Sequence, residues 1–354
     1  MLLSSVPCAA QTLSRAELGR KALTLVVADV KNSDPEVRSQ AAAVLGSAGN
    51  ASAVPMLKAM LRDRDKYVRI AAARALWELG SPAGVKTLYA MISDIPAQGP
   101  IPVTNTPLVE LKIISQNKVR EKAMEALAAM KGKDSAEVLY KLKNDNYGTV
   151  RDAASRELAS IGYDEELAQF TDALASGDEG IRYEAALSLA KVCSPSSAGP
   201  LKELLLAEKS VRVRMAALDA LKCNPAAKDA LDDLLKLADD ENPTIKYKAV
   251  TVLARIKDAR AKAKLAALAA ATPDIRLKIT AQKGSILNGE LPDLAVVRSA
   301  LSAASPDIRL EALDVTASLP EDDAQPLLAA ALDDPNGQVK LAAALQVLKR
   351  FSKK

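Results

Sequence analysis

The 354-residue chain contains no histidine. That removes the commonest general base and metal ligand, together with every Ser-His or Cys-His nucleophile. Its three cysteines, Cys8, Cys193 and Cys223, are too few for a four-thiolate zinc site or a disulfide scaffold. What remains for chemistry is cations in two arrangements. The first is a row of ten, each preceded by a β-branched residue: Arg38, Arg69, Arg120, Arg151, Arg182, Arg214, Lys246, Arg276, Arg309 and Lys340. Such a row suits either a line of phosphates or, more simply, buried cations that must each find a partner. The second is a cluster of Lys246, Lys248, Arg255, Lys257, Arg260, Lys262 and Lys264, with Asp258 opposing it. It is able to draw an anionic partner such as nucleic acid. With 3% aromatic residues and Asp239, Asp240 and Glu241 just upstream, base-stacking platforms are scarce, and a solvated turn face is the competing reading.

The spacings of the ten basic residues are 31, 51, 31, 31, 32, 32, 30, 33 and 31. Three residues after the basic position stands Ala in nine units, with Ile279 in the eighth. Seven residues after it stands Leu in the first seven units, followed by Lys283, Thr316 and Val347. Offsets of −1, +3 and +7 fall along one stripe of a helix. Four residues before the basic position lie Asp34, Asp65, Asp178, Ser210, Asn242, Thr272, Ser305 and Asn336, and Pro follows at 35, 243, 273 and 306. These are N-cap and first-turn signals. Gln116 is a poor cap unless its helix starts earlier. A Gly or Pro turn follows each first helix, then a second apolar run such as Leu57 with Leu61 or Leu201 with Leu205. Each unit is predicted to be helix-turn-helix.

The recurring Asp-Pro-x-Val-Arg-x-x-Ala-x-x-x-Leu-Gly, most complete from Asp34 to Gly46, resembles HEAT repeats. The short period of about 31 is similar to the bacterial phycobilisome-lyase-type HEAT-like class, an armadillo-type fold. The resemblance implies an all-α, right-handed superhelical solenoid of about ten repeats over residues 16–351, extending on the order of 90 Å. It also implies that the basic row pairs with acidic or carbonyl groups of adjacent repeats. Residues Ala16 to Val30 would form a lone capping helix, and the array would end on the first helix of its last unit. Lys349 and Arg350 suit a solvated helix C-terminus, with 352–354 as a basic tail. HEAT-like hydroxylases use His-Glu metal ligands, which this chain lacks, and no residues point to a chromophore-lyase or glycosylase site.

The 51-residue interval holds an insertion near 94–106, whose prolines forbid regular helix. Thr106-Pro107 can restart a helix running through Leu108, Leu111, Ile114 and Val119. Ile95, Ile101 and Val103 make the insertion apolar, so it either contacts a partner or packs on its own repeat. Trp77 reads as partly buried packing. Cys193 and Cys223 end adjacent first helices at similar phase; pairing is open to them in an exported protein, but buried free thiols are the expected state. Residues 1–15 form a leader whose Cys8-Ala9-Ala10 stretch resembles the end of an export signal, yet it has no basic start and too short an apolar part. Localisation therefore stays open between cytoplasmic and exported.

Net charge is +4, too balanced to announce a partner, and no stretch approaches a membrane span. The expectation is a monomeric, noncatalytic scaffold without metal or cofactor. It would bind a protein or peptide on a concave face made by the second helices, with Ile95, Ile101, Val103, Lys257, Arg260, Lys262 and Lys264 as candidate contacts. Nucleic-acid binding through 246–264 is the alternative, and a HEAT-like enzyme such as a chromophore lyase the least favoured.

Overall fold

A computed structural model describes residues 13–96 and 106–351 of the chain. Among these there is no strand. The first helices of the ten repeats are α2 (Pro35–Ser47), α4 (Lys66–Glu78), α6 (Thr106–Lys131), α8 (Gly148–Ser160), α10 (Glu179–Val192), α12 (Val211–Cys223), α14 (Pro243–Leu253), α16 (Ile275–Leu287), α18 (Pro306–Thr316) and α20 (Gly337–Phe351). The second helices are α3 (Val54–Met60), α5 (Val85–Ile92), α7 (Ala136–Leu142), α9 (Asp164–Ala173), α11 (Ala198–Ala207), α13 (Leu231–Leu237), α15 (Ala259–Ala271), α17 (Leu294–Leu301) and α19 (Glu321–Ala331). One helix, α1 (Arg15–Asp29), precedes them all.

The caps follow the sequence signals. Asp34, Asp65, Asp178, Ser210 and Asn242 accept hydrogen bonds from free first-turn N–H groups. The eighth repeat departs from the pattern: its cap is Asp274, not Thr272, and α16 begins at Ile275. The Thr272 hydroxyl instead accepts from the Asp274 N–H. Two residues upstream of their caps, Asp63, Ser176, Glu208, Asp240 and Asp334 accept a cap N–H in the same way. Helix α6 runs straight through Gln116, so that residue is not a cap.

Each second helix packs on the first helix of the next repeat, and α5, α9, α15, α17 and α19 also pack on the first helix of their own. Among the described residues no second helix follows α20, and α1 packs in its place. Helix α1 packs on α20 and on α2, as α19 packs on α18 and α20. Leu18, Ala22 and Val26 are buried in one apolar cluster with Val339, Ala343 and Val347. Polar links cross the same seam: Arg15 reaches Glu321 at 2.5 Å and Asp322 at 2.9 Å, and Lys21 reaches Asp333 at 2.7 Å. The Gln338 amide donates to Glu36 at 3.0 Å. So α1 is not a lone cap, and the array is not an extended rod. Its ends meet and the repeats close into a ring.

The inner and outer sides follow from the packing. All ten first helices touch their neighbours, including α20 with α2, whereas successive second helices are mostly splayed apart. In a closed ring the set that packs side by side is the inner one. Ten helices about 9.5 Å apart place their axes on a circle roughly 30 Å across. Subtracting a helix radius of about 5 Å on each side leaves an opening on the order of 20 Å.

Ring closure makes α1 integral to the core. Leu18 and Leu88 are both fully buried, one at the seam and one in mid-array. Replacing either by Ala is expected to lower stability by a similar amount, about 2–5 kcal/mol, measured by chemical denaturation. A cost for Leu18→Ala below about 1 kcal/mol, as for a fraying terminal helix, would contradict the closure.

Candidate functional site

On each first helix the residues at +3 and +4 from the basic position are buried, and with −1 and +7 they form the side turned outward to the core, although Ile181 at −1 of the fifth repeat is 51% exposed. The opposite side carries positions −2, +5 and +9, which on a 3.6-residue turn lie together. These line the opening. The concave surface is therefore made by first helices, not by the second helices expected from the sequence. Its exposed residues include Glu36, Tyr67, Arg74, Glu78, Lys118 and Arg212. Neighbouring inner residues bond to one another: Ser47 donates to Glu78 at 3.0 Å, and Lys248 pairs with Asp219 at 2.5 Å. Arg212 stacks 3.6 Å from the Tyr183 ring centroid, and Arg276 lies 4.3 Å from that of Tyr247. The Tyr247 hydroxyl donates to Glu311 at 2.6 Å, spanning the eighth repeat. Burial and the adjacent Glu311 carboxylate raise the Tyr247 pKa.

The ten-residue basic row does not point into the opening as a phosphate track. Arg38 forks onto Asp63 at 2.8 Å while its third nitrogen donates to the carbonyls of Asn32 and Ser33. Arg182 repeats this with Glu208, Ser176 and Gly177. Arg309 repeats it with Asp334, Ala303 and Ala304. Arg120 pairs with Asp145 and donates to the Ile92 carbonyl, and Arg214 reaches Asp240 at 2.6 Å. Arg38, Arg182 and Arg309 each tie the loop before their helix to the loop after the second helix of their repeat. The guanidinium of Arg38 holds the Asp63 carboxyl below the ordinary range, and Arg182 does the same to Glu208.

The other five depart from the ladder. The carboxylate equivalent to Asp63 in the second repeat is Asp94, which Lys66 and Gln116 occupy at 2.7 and 2.8 Å; the Arg69 Nε is left buried without a partner. Arg151 keeps one bond, to the Asp145 carbonyl. Arg276 turns to Tyr247 and Glu311. Lys246 and Lys340 form no ion pair among the described residues.

The basic cluster is largely neutralised by acids on adjacent repeats. Arg260 pairs with Asp232 at 2.7 Å, Lys262 with Glu290 and Lys264 with Asp239. Lys257 and Arg255 remain exposed and unpaired among the described residues. Of the insertion contacts, Ile95 is 52% exposed, while Ile101 and Val103 lie outside the described residues, as do the leader through residue 12 and the 352–354 tail. Trp77 is partly buried against the core. Arg350 does not sit in solvent but donates to the carbonyls of Thr316, Ala317 and Leu319 at the end of α18. Among the described residues no three carboxylates or thiols converge to hold a metal, and no helix is long and apolar enough to cross a membrane.

Sequence reasoning missed one inner-wall group. Glu157 occupies the +6 position of α8, where Val44, Ala75, Ala126 and Val252 stand in other repeats, and it is 5% exposed. Its Oε1 has no hydrogen-bond partner, nor does the neighbouring Arg156 Nε 3.4 Å away. Burial raises the Glu157 pKa, with Glu125 adding to the rise and Arg156 and Lys191 opposing it. Lys191 is pushed down by burial and by Arg156 and Lys122.

The HEAT-repeat model matches residues 23–98, 140–222 and 206–284, more than half of the chain, and the chain belongs to the HEAT-repeat family. No curated protein matches. Among solved structures, human deoxyhypusine hydroxylase in complex with glycerol is 18% identical, with 77% of this chain and 96% of that one covered and a TM-score of 0.31. The complex of CpcE and CpcF of phycocyanin lyase from Nostoc sp. PCC7120 is 17% identical over 71% of this chain and 98% of that one, at a TM-score of 0.35. Kap121p bound to Nup53p is 15% identical over 94% of this chain and 41% of that one, at 0.36.

Two substitutions test the ladder and the buried acid. Arg120→Ala strands Asp145 in the core and is expected to cost about 3–5 kcal/mol, against less than about 1 kcal/mol for the exposed Arg151→Ala; equal costs in denaturant melts would contradict the ladder. For Glu157, the folded pKa lies above the unfolded one, so the stability tied to its proton is present at acid pH and lost as pH rises through the folded value. Glu157→Gln is therefore expected to be more stable than the parent at neutral pH. That gain disappears below the ordinary glutamate pKa of about 4.3. A difference independent of pH in paired melts would show that the carboxyl carries no such penalty.

Proposed function

We propose that the ring is a noncatalytic protein-binding module that grips a segment of a partner inside its opening. The closure supports this reading most directly. It turns the concave face into a continuous wall about an opening on the order of 20 Å, wide enough for an α-helix of roughly 10–12 Å with side chains. The wall carries exposed Tyr67 beside polar and charged residues of both signs. Tyrosine and arginine are the side chains that most often anchor a buried contact. The chain lacks histidine, the commonest general base. Repeats that contact only their neighbours leave their inner positions free to vary without loss of fold. Nucleic acid is the weaker partner, because three of the four cationic candidate contacts are already paired with carboxylates.

Site-specific photo-crosslinking tests the reading. A photoreactive residue at Ala43 or Arg74 on the inner wall is expected to capture one discrete partner, and the same residue at Lys86 on the outer helix α5 is expected to capture none. Capture from Lys86 alone, or retention of the protein on DNA or RNA that weakens with salt, would overturn the inner-wall reading.

A further inference from the structure

Cys193 and Cys223 are joined by a disulfide, so they are not the free thiols expected from the sequence. The bond links the end of α10 to the last turn of α12 across adjacent repeats. Both residues are half-buried. Cys223 forms part of the wall of a cavity of about 380 Å³. Four other residues of that wall are cationic, Lys222, Lys228, Arg255 and Lys257, and no carboxylate lines it. Lys228 lies 3.2 Å from Asp258. The other three form no ion pair among the described residues, and all four are exposed. A partly exposed sulfur in an electropositive setting is the environment in which cysteine chemistry is reactive rather than structural.

We propose that this is a thiol–disulfide exchange site for a small anionic thiol, one that carries a carboxylate or sulfonate besides its sulfur. The thiolate enters the cavity and attacks the Sγ of Cys223, forming a mixed disulfide. The bond between the two protein sulfurs breaks, and its electron pair leaves on the Sγ of Cys193, which takes a proton from water. A second thiolate attacks the reagent's sulfur in the mixed disulfide, releasing the reagent as its own disulfide and Cys223 as a thiol. Two thiols are thus oxidised as the protein disulfide is reduced. Cys223 is the cysteine attacked because it, and not Cys193, lines the cavity. Both cysteines sit at helix C-termini, where the helix dipole disfavours a thiolate. The cations therefore act on the arriving anion, raising its local concentration, rather than by activating a protein thiol.

The test uses the full-length chain with Cys8→Ser and three thiols: 2-mercaptoethanesulfonate, 2-mercaptoethanol and cysteamine. Each rate of disulfide opening at low salt is divided by the rate of the same thiol with a small neutral disulfide. The anionic thiol is expected to be favoured over the cationic one by about tenfold or more, with the gap narrowing at high salt. The first adduct, located by peptide mass spectrometry, is expected on Cys223. Replacing Lys222, Arg255 and Lys257 together by Gln should erase the preference while leaving the rate with 2-mercaptoethanol unchanged. Equal normalised rates for the three thiols would overturn the proposal. So would a first adduct on Cys193, or a bond that opens only once the protein is denatured.

Discussion

The close approach of neighbouring first helices governs the shape of the molecule. Small residues set it. A Cβ added at Gly46 would lie 2.6 Å from the Cα of Ala75 in the next first helix. One at Gly84, in the turn before α5, would lie 2.4 Å from the Cα of Ala73, so that turn packs closely on its own first helix. Alanine at +3 in nine repeats keeps the core-facing side of each first helix thin as well. The second helices carry Leu, Met, Tyr and Phe and stand farther apart. Thin inside and thick outside, the stack must curve, and ten repeats that turn about 36° each complete a circle. The scarcity of aromatic residues belongs to this geometry, since bulky rings between inner helices would open the curvature.

Closure resolves a difficulty common to repeat arrays. A terminal repeat exposes the apolar flank that its missing neighbour would cover, so open arrays need atypical polar caps. Here α1 completes the tenth repeat and is itself covered by α20 and α2. The seam thus pairs residues about 310 positions apart in sequence, Arg15 with Asp322 and Gln325. The arginine ladder works on a shorter range. Arg38, Arg182 and Arg309 each fix two consecutive loops to one helix, so the angle between successive repeats is held by charge-assisted hydrogen bonds as well as by packing.

The repeat was legible in the sequence because every signal that makes it is local. A cap, a β-branched residue, an alanine and a leucine at fixed offsets specify one helix and its partner. The closure was not legible, because it depends on the curvature accumulated over ten units and no single repeat encodes that sum. The identity of the concave side was missed for a related reason. A hairpin shows which face of each helix is apolar, but only the stack decides which helix lies inside. The eighth repeat misled because Thr272-Pro273 mimics the cap of its neighbours while Asp274, two residues on, does the capping. The cluster at 246–264 looked cationic in sequence because its acids arrive from other repeats, Asp232 and Asp239 on one side and Glu290 on the other.

The same separation explains where binding specificity can reside. Positions +3 and +4 are buried in every repeat, and the basic position is held by the ladder wherever an acid stands two residues before the next cap. Positions −2, +5 and +9 answer to neither constraint, and they are where the repeats differ most: Glu36, Tyr67, Lys118, Thr149, Gly180 and Arg212 occupy the first of them in successive units. A wall built from unlike residues at equivalent sites offers a different chemical surface at each angle around the opening. An occupant would thus be read by its orientation as well as by its composition. Glu157 sets a buried carboxylate into the packing of the fourth repeat, where its Oε1 and the Arg156 Nε lack hydrogen-bond partners.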